Sequence, residues 1–397
     1  DGWYGRRTDD TRGLGDWTVN RSKLQDGLSG YADKIHSLGM KAGIWVEPEM
    51  VSMDSELYEK HPEWMIAIPG RRPSAGRHQY ILDLSRADVI EYLFQSMSSV
   101  FSSGIDYVKW DANRNMSDYF TSSPDARFQG ELFHRYIQRL YSLLDRLTSA
   151  FPDILFEFCS SGGNRFDLGA LAFSPQGWVS DDTDAMERIR IQNGTLRGYP
   201  LSSMSNHVTA SPNHQNLRKT GLEDRFGVAC FGVLGYELDL GKLSDEELSV
   251  IKNQISFYKA HRHTFQHGIF HHLPSSDGAV FWAVESCDEM IILEYQERNG
   301  VNTGRHRRLR IPFADRGAIY CIERRDKHVF REDLGDLWND YGSVPHEPFS
   351  IKVSGAILAE AGIALPPLFM GRGFEPATRV LMDNGADLYV VRRVSKA

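Results

Sequence analysis

Ile105-Asp106-Tyr107-Val108-Lys109-Trp110-Asp111-Ala112-Asn113-Arg114 holds four residues of strand character, Tyr107 to Trp110, that run straight into a carboxylate, Asp111. Side chains two apart on a strand share a face, so Lys109, Asp111 and, where the extended path continues, Asn113 present cation, anion and amide together. A cation at that distance favours the ionised carboxylate and predicts a lowered pKa for Asp111. A carboxylate nucleophile requires that state. Standing alone, a Lys-x-Asp at a strand end is more often an ordinary salt bridge, so the reading depends on whether the chain repeats the pattern.

The chain does repeat it, on both sides. Upstream, Leu24, Leu28, Tyr31, Ile35 and Leu38 fall at helical spacing, Gly39 is placed to stop that helix, and Ala42 to Val46 reads as a buried strand ending in Glu47-Pro48-Glu49-Met50. Ser85 and Asp88 mark the start of a helix whose buried face is Ile90, Leu93, Phe94, Met97 and Phe101, with Gly104 as its stop. Downstream, Phe133 to Leu147 predicts a helix before Pro152, and Ile154 to Phe158 a strand ending in Cys159-Ser160-Ser161-Gly162-Gly163-Asn164-Arg165. Trp178-Val179-Ser180 runs into Asp181-Asp182-Thr183-Asp184, and Leu201 to His207 and Phe231 to Leu238 are further strands. Ser244 and Glu247 form a capping box for a long helix with Leu248, Ile251, Ile255 and Tyr258 inward.

Strands alternating with helices predict a parallel sheet. Polar residues gather after the strands, at Glu47, Asp111, Cys159, Asp181 and His207. That one-sidedness is the mark of a (β/α)8 TIM barrel. A doubly wound sheet would bring a glycine-rich phosphate loop, and none follows the first strands. Six barrel strands are legible, so the first strands of an eight-stranded barrel are expected to lie before residue 1. From about residue 273 the pattern becomes antiparallel. Ala279 to Glu285 and Met290 to Gln296 read as paired strands, with more at Arg308 to Pro312, Ala318 to Glu323 and Phe349 to Val353. Asn384-Gly385 between Arg379-Val380-Leu381 and Leu388-Tyr389-Val390-Val391 predicts a hairpin. The expected organisation is a partial catalytic barrel over 1–272 and a small antiparallel β-sandwich domain over 273–397.

Composition narrows the partners. A net charge of -8 opposes nucleic acid as the main partner, and the basic run Arg305-His306-Arg307-Arg308-Leu309-Arg310 reads as a solvated strand edge. No apolar run approaches the ~20 residues of a membrane span. Cys159, Cys230, Cys287 and Cys321 are scattered, without the spacing of a zinc site or a disulfide framework. The chain opens without an initiator methionine, so the lack of a signal pattern does not fix the compartment; cytoplasmic is favoured over secreted. His261-Arg262-His263 has metal-ligand spacing, but on a helix residues two apart diverge, so no metal is expected.

Glycoside hydrolysis with retention needs a second carboxylate, and Asp181 follows two strands after Asp111. Its neighbours Asp182 and Asp184 are expected to raise its pKa, which suits a general acid; the plainer reading is an Asp-rich turn in which Asp182 or Thr183 caps a helix. Taken together, the motifs resemble those of the α-galactosidases of glycoside hydrolase family 36. The resemblance rests on Asp1-Gly2-Trp3-Tyr4-Gly5, Gly43-Ile44-Trp45-Val46-Glu47-Pro48-Glu49-Met50, Lys109 to Arg114, Cys159 to Arg165, Trp178 to Ala185, Ser205-Asn206-His207-Val208 and Pro212-Asn213-His214. It implies that Asp111 is the nucleophile and Asp181 the general acid/base. It further implies that Asp1, Trp45, Arg77, Lys109, Asn113, Cys159 and Gly162 bind the sugar, without a cofactor. The implied partner is an α-galactoside oligosaccharide, and a homo-oligomer is compatible with the reading. Two substitutions depart from the family: Ser161 stands for a glycine near the expected sugar C2, and Ala112 for a methionine. The first leaves an α-N-acetylgalactosaminidase open, beside an α-galactosyl transferase or a non-catalytic sugar-binding remnant.

Overall fold

The computed structural model describes residues 2–124, 126–276, 278–299, 307–334, 348–368 and 379–396. The chain divides into two compact units, Asp1–Asp181 and Asp182–Ala397.

In the first unit, α1 (Gly27–His36) buries Leu28 and Ala32. Gly39, at φ 73°, turns the chain after it, while Leu38 lies beyond the helix and 70% exposed instead of on its apolar face. β1 (Gly43–Val46) follows, then β2 (Met50–Val51), which pairs antiparallel with β3 (Tyr80–Ile81). A short α2 (Glu56–Lys60) is capped by the Ser55 hydroxyl. α3 (Ala87–Phe101) packs Val89, Ile90, Leu93, Met97, Val100 and Phe101 inward. Its expected Ser85 cap does not form: Arg86 holds the N-cap position, and Ser85 Oγ bonds Asp83 instead. β4 (Tyr107–Trp110), α4 (Leu132–Ala150), β5 (Leu155–Phe158), α5 (Leu168–Leu171) and β6 (Gln176–Gly177) complete the unit. The sixth strand ends before Trp178, where the sequence pattern had placed its start.

Three crossovers produce one parallel sheet in the order β1-β4-β5-β6. Its register aligns Trp45 with Lys109, Lys109 with Glu157, and Glu157 with Gln176. Polar side chains thus form one layer across the strands. The intervening residues, Val46, Val108, Trp110, Phe156 and Phe158, are buried apolar. Each such apolar side chain removed from water contributes roughly 1.5–3 kcal/mol, which anchors the sheet and fixes which way the polar layer faces.

In the second unit, α6 (Ala185–Thr195) is capped by Asp184, whose side chain accepts from Met186 N–H; neither Asp182 nor Thr183 serves as the cap. β7 (Ser205–Thr209) and β8 (Val233–Glu237) form a parallel pair, joined through α7 (Leu222–Ala229). Leu201–Ser203, expected as strand, is a 3-10 turn. α8 (Asp245–His267) carries the expected Ser244/Glu247 capping box. Ile251 and Tyr258 are buried as expected, but Leu248 is exposed; Gln254 is fully buried, its amide donating to Glu223 and accepting from the Tyr236 hydroxyl.

Six strands then build an antiparallel sheet: β9 (Ile269–Ser276), β10 (Ala279–Glu285), β11 (Glu289–Gln296), β13 (Ala318–Arg324), β14 (Ser350–Ser354) and β16 (Gly385–Lys396). A short ladder of β12 (Arg308–Leu309) and β15 (Ile363–Ala364) packs Leu309 and Ile363 against Phe281, Ile292 and Tyr389 on one face of that sheet. The Asn384-Gly385 turn forms, with Asn384 at φ 59°, but not as the expected hairpin. β16 pairs instead with β11 and β13, which bury its Leu388, Val390 and Val391 on both sides. Arg305 and His306 lie outside the described residues, and Arg307 is buried rather than solvated.

Candidate active site

Asp111 emerges one residue past β4 and is 6% exposed. Three N–H groups meet its carboxylate. Trp45 Nε1–H donates to Oδ2 at 3.1 Å, Asn113 Nδ2–H to the same oxygen at 2.6 Å, and the Ala112 amide to Oδ1 at 2.9 Å. An ionised carboxylate is acceptor-only, and this set of donors fits that form. Asn113 therefore does share the site with Asp111, as the sequence spacing implied. Lys109 is engaged elsewhere: its ammonium lies 3.8 Å from the Trp178 ring centroid and 4.0 Å from Glu157 Oε1. The groups that bond Asp111 are an indole and an amide, and the expected lysine partner belongs to Glu157.

Asp181 is half-buried, and its pKa is raised, first by burial and then by the negative charge of Asp111. The sequence had assigned that shift to Asp182 and Asp184; Asp184 is instead committed to capping α6 and to an ion pair with Arg218. Cys159, at the end of β5, has its thiol 3.7 Å from Asp181 Oδ1 and is itself pushed up by burial and by Asp111. Gly162 explains why this loop is glycine-rich. At φ 79° it packs so closely that a Cβ there would lie 2.6 Å from the Asp181 amide nitrogen. Ser161 beside it holds φ 44°, a conformation that favours glycine.

Arg77 is exposed on a tight turn in which Gly76 and Gln79 exchange backbone hydrogen bonds and both Arg77 and His78 have positive φ, 52° and 60°. Its charge acts on both Asp181 and Glu47. Asp1 lies outside the described residues. Trp45, Arg77, Lys109, Asn113, Cys159 and Gly162 all belong to the unit that carries both carboxylates.

Three further residues of this site carry no local signal strong enough to assign a role from sequence. Glu157 is 3% exposed and accepts from the Tyr107 hydroxyl, the Trp178 indole at 3.0 Å and the Gln176 amide at 3.2 Å. A lone acid in Leu155-Phe156-Glu157-Phe158 was its only trace in the sequence. Glu49, fully buried, receives both guanidinium nitrogens of Arg165 at 2.6 and 2.8 Å, with the Trp110 indole and the Tyr136 hydroxyl. This ion pair fastens the Cys159–Arg165 loop to the end of β1. Glu47 accepts from the Asn113 amide at 2.6 Å and from Gln79 Nε2 at 3.0 Å, and burial with the nearby Asp111 pushes it up to about 8. Among the described residues no cluster of three or more His, Cys, Asp or Glu could hold a metal ion.

The chain is similar to known proteins. The chain is 49% identical over 291 residues to α-galactosidase AgaA of Geobacillus stearothermophilus, covering 72% of this chain and 40% of that protein. It is 48% identical over 277 residues to α-galactosidase Mel36A of Lactobacillus acidophilus, covering 70% and 38%. The solved α-galactosidase of Lactobacillus brevis superimposes with a TM-score of 0.86 at 40% identity, over 100% of this chain and 50% of that one. AgaA in complex with raffinose gives 0.84 at 40% identity, over 99% and 50%. The chain thus spans about two fifths of the length of these curated relatives. The fold is a TIM-barrel α/β fold followed by an antiparallel β domain. The melibiase family model matches residues 1–268, most of the 397, and the chain belongs to that family.

Proposed function

We propose that this chain carries the catalytic site of a retaining α-galactosidase that releases terminal α-linked galactose from oligosaccharides. Asp111 attacks the anomeric carbon while Asp181 gives its proton to the departing glycosidic oxygen, leaving a β-galactosyl ester on Asp111. Asp181, now ionised, takes a proton from water as that water attacks the ester, and galactose leaves with its α configuration retained. The observation that carries the reading is the opposite dressing of two neighbouring carboxylates. Asp111 is surrounded by N–H donors that suit an anion, whereas Asp181 is raised by burial and by Asp111 and so is equipped to keep its proton. Environments that push paired acids apart are how one site runs nucleophile and acid at the same pH.

Trp45 offers an apolar wall for the C–H face of the sugar. Arg77, Lys109, Asn113, Cys159 and Asp1 supply polar contacts to its hydroxyls, and Gly162, packed against the Asp181 backbone, presents its loop to the sugar. The structures of AgaA with raffinose and with stachyose support oligosaccharides of that kind as substrates. Residues 1–272 form the catalytic part and 273–397 the accessory β domain, a division that the family match over 1–268 supports. Four free thiols, with Cys287 exposed, suit a reducing, cytoplasmic setting. No helix among the described residues is long and apolar enough to cross a membrane.

The test is hydrolysis of p-nitrophenyl α-galactoside followed by proton NMR. The first galactose formed should be the α anomer, before mutarotation. First-formed β-galactose would mean inversion and would remove Asp111 as nucleophile.

A further inference from the structure

The two side chains that donate to Asp111 meet at one carboxylate oxygen, and one of them, Asn113, is tied to a buried acid, Glu47. The other, Trp45, lies in β1 two residues before Glu47, which follows just beyond the end of that strand. Asn113 is held through its backbone: its amide donates to Glu47 Oε1 at 2.6 Å while its side chain reaches Asp111. The second oxygen of Glu47 accepts from Gln79 Nε2 at 3.0 Å, and Gln79, itself 2% exposed, closes the turn that presents Arg77. Glu47 is fully buried, and charges reach it from three directions, Asp111 from β4, Arg7 from the N-terminal loop and Arg77 from the turn. Arg7 and Arg77 act on it by charge, while the Asn113 amide and Gln79 Nε2 bond it directly.

We propose that Glu47 is the positioning residue of the site, fixing Asn113 and Trp45 on Asp111 and the Arg77 turn beside them. It touches neither sugar nor reacting atoms; it sets where three groups that do so stand. The inference rests on the assignment of Asp111 as nucleophile. Displacing catalytic donors by about 1 Å costs on the order of 100-fold in rate. Glu47→Ala should therefore lower kcat about 100-fold on p-nitrophenyl α-galactoside and change KM less than about threefold. Glu47→Gln keeps an acceptor oxygen for the Asn113 amide and should recover kcat to within about tenfold of the parent. Because Glu47 acts through Asn113, the double variant Glu47→Ala/Asn113→Ala should be no more than about twofold slower than the slower single variant. Losses that multiply in the double variant, or a Glu47→Ala kcat within about threefold of the parent, would overturn the proposal.

A second readout does not need turnover. In amide and indole NMR, the Asn113 N–H and Trp45 indole N–H resonances should shift in Glu47→Ala and return in Glu47→Gln. The Trp110 indole, bonded to Glu49, should stay in place. If the alanine chain does not fold, Glu47→Asp, one methylene shorter, should move the same two resonances. Unmoved Asn113 and Trp45 signals would sink the proposal whatever the activity. A parent chain that releases no galactose would sink the α-galactosidase reading alone, since the resonances still decide the role of Glu47.

Discussion

The β domain and the strand ends of the first unit both bury carboxylates, but they treat them in opposite ways. In the β domain, Glu294 is fully buried and accepts from Arg307 at 3.0 Å, Arg379 at 2.8 Å and the Tyr389 hydroxyl at 2.8 Å, while Asp387 shares Arg379 at 2.6 Å. Burial pushes Asp387 up, yet the charges of Arg379 and Lys327 outweigh it and hold the carboxyl below its usual range. At the strand ends, Glu47, Asp111 and Asp181 face indole, amide and thiol donors, and one another. Burial there goes largely unopposed, so Glu47 and Asp181 are both raised. Compensated charge fixes a structure, whereas acids raised by burial and by a neighbouring carboxylate hold protons more tightly and suit proton transfer.

The comparison breaks first at the nucleophile. Asp111→Ala should lose on the order of 10⁴-fold in turnover, and azide should restore part of it as β-galactosyl azide, since a small anion can enter the vacated space. Asp181→Ala should lose roughly 10²–10⁴-fold, least on substrates whose leaving group needs no proton. The check is turnover with and without azide, with the product identified by NMR; parent-like activity in either folded variant would end the assignment.

Removing a cation from the compensated cluster tests the other side. Arg379→Met leaves Glu294 and Asp387 buried without their shared partner and should cost about 3–5 kcal/mol of stability in urea unfolding. A loss below about 1 kcal/mol would show that Arg307 and Lys327 suffice.

The pH dependence of stability separates the two regions without touching chemistry. Glu47 binds its proton more tightly folded than unfolded, so between its ordinary 4.5 and about 8 the folded chain keeps a proton that the unfolded chain has released. Stability from this group is complete at low pH and drains away as pH rises through that window, by a few kcal/mol at most. Asp387, lowered when folded, has the opposite sign: its contribution is present above the ordinary carboxylate range and is lost on acidification. Glu47→Gln should flatten the fall of Tm with rising pH between about 4.5 and about 8; an unchanged slope would refute the raised value.

The smallest effects concern the glycine-rich loop. Gly162→Ala forces a methyl against the Asp181 amide and should lower kcat about 10–100-fold by moving the acid. Ser161→Gly relieves a left-handed residue and should raise stability by up to about 1 kcal/mol, read as a small increase in Tm.

Much of the site was legible because it is local. Asp111 with Asn113 and the Cys159–Arg165 loop each follow a strand directly, Asp181 comes a few residues after one, and short motifs record them. The partners of those residues were not legible. Lys109 pairs with Glu157 and Trp178, and Trp45 with Asp111, across strands 48 to 69 positions apart, and nothing within a ten-residue window states a register. The reading of Asn384-Gly385 failed for a related reason: the turn formed, but burial on both flanks chose β11 and β13 as the partners of β16. Leu248 was expected inward and is exposed, while Gln254 is buried, because a buried amide with Glu223 and Tyr236 as partners costs little.

By itself the sequence determined the alternation of parallel strands and helices, the change to an antiparallel domain, and the side of the sheet on which polar residues collect. These follow from periodicity, turn residues and the pleat, all of which act over a few residues. Only the tertiary structure decided which donors hold Asp111, what raises the pKa of Asp181, and that Glu47 ties Asn113 to Gln79. Those outcomes depend on desolvation and on distances between segments far apart in the chain, quantities that exist only once the strands have found their register.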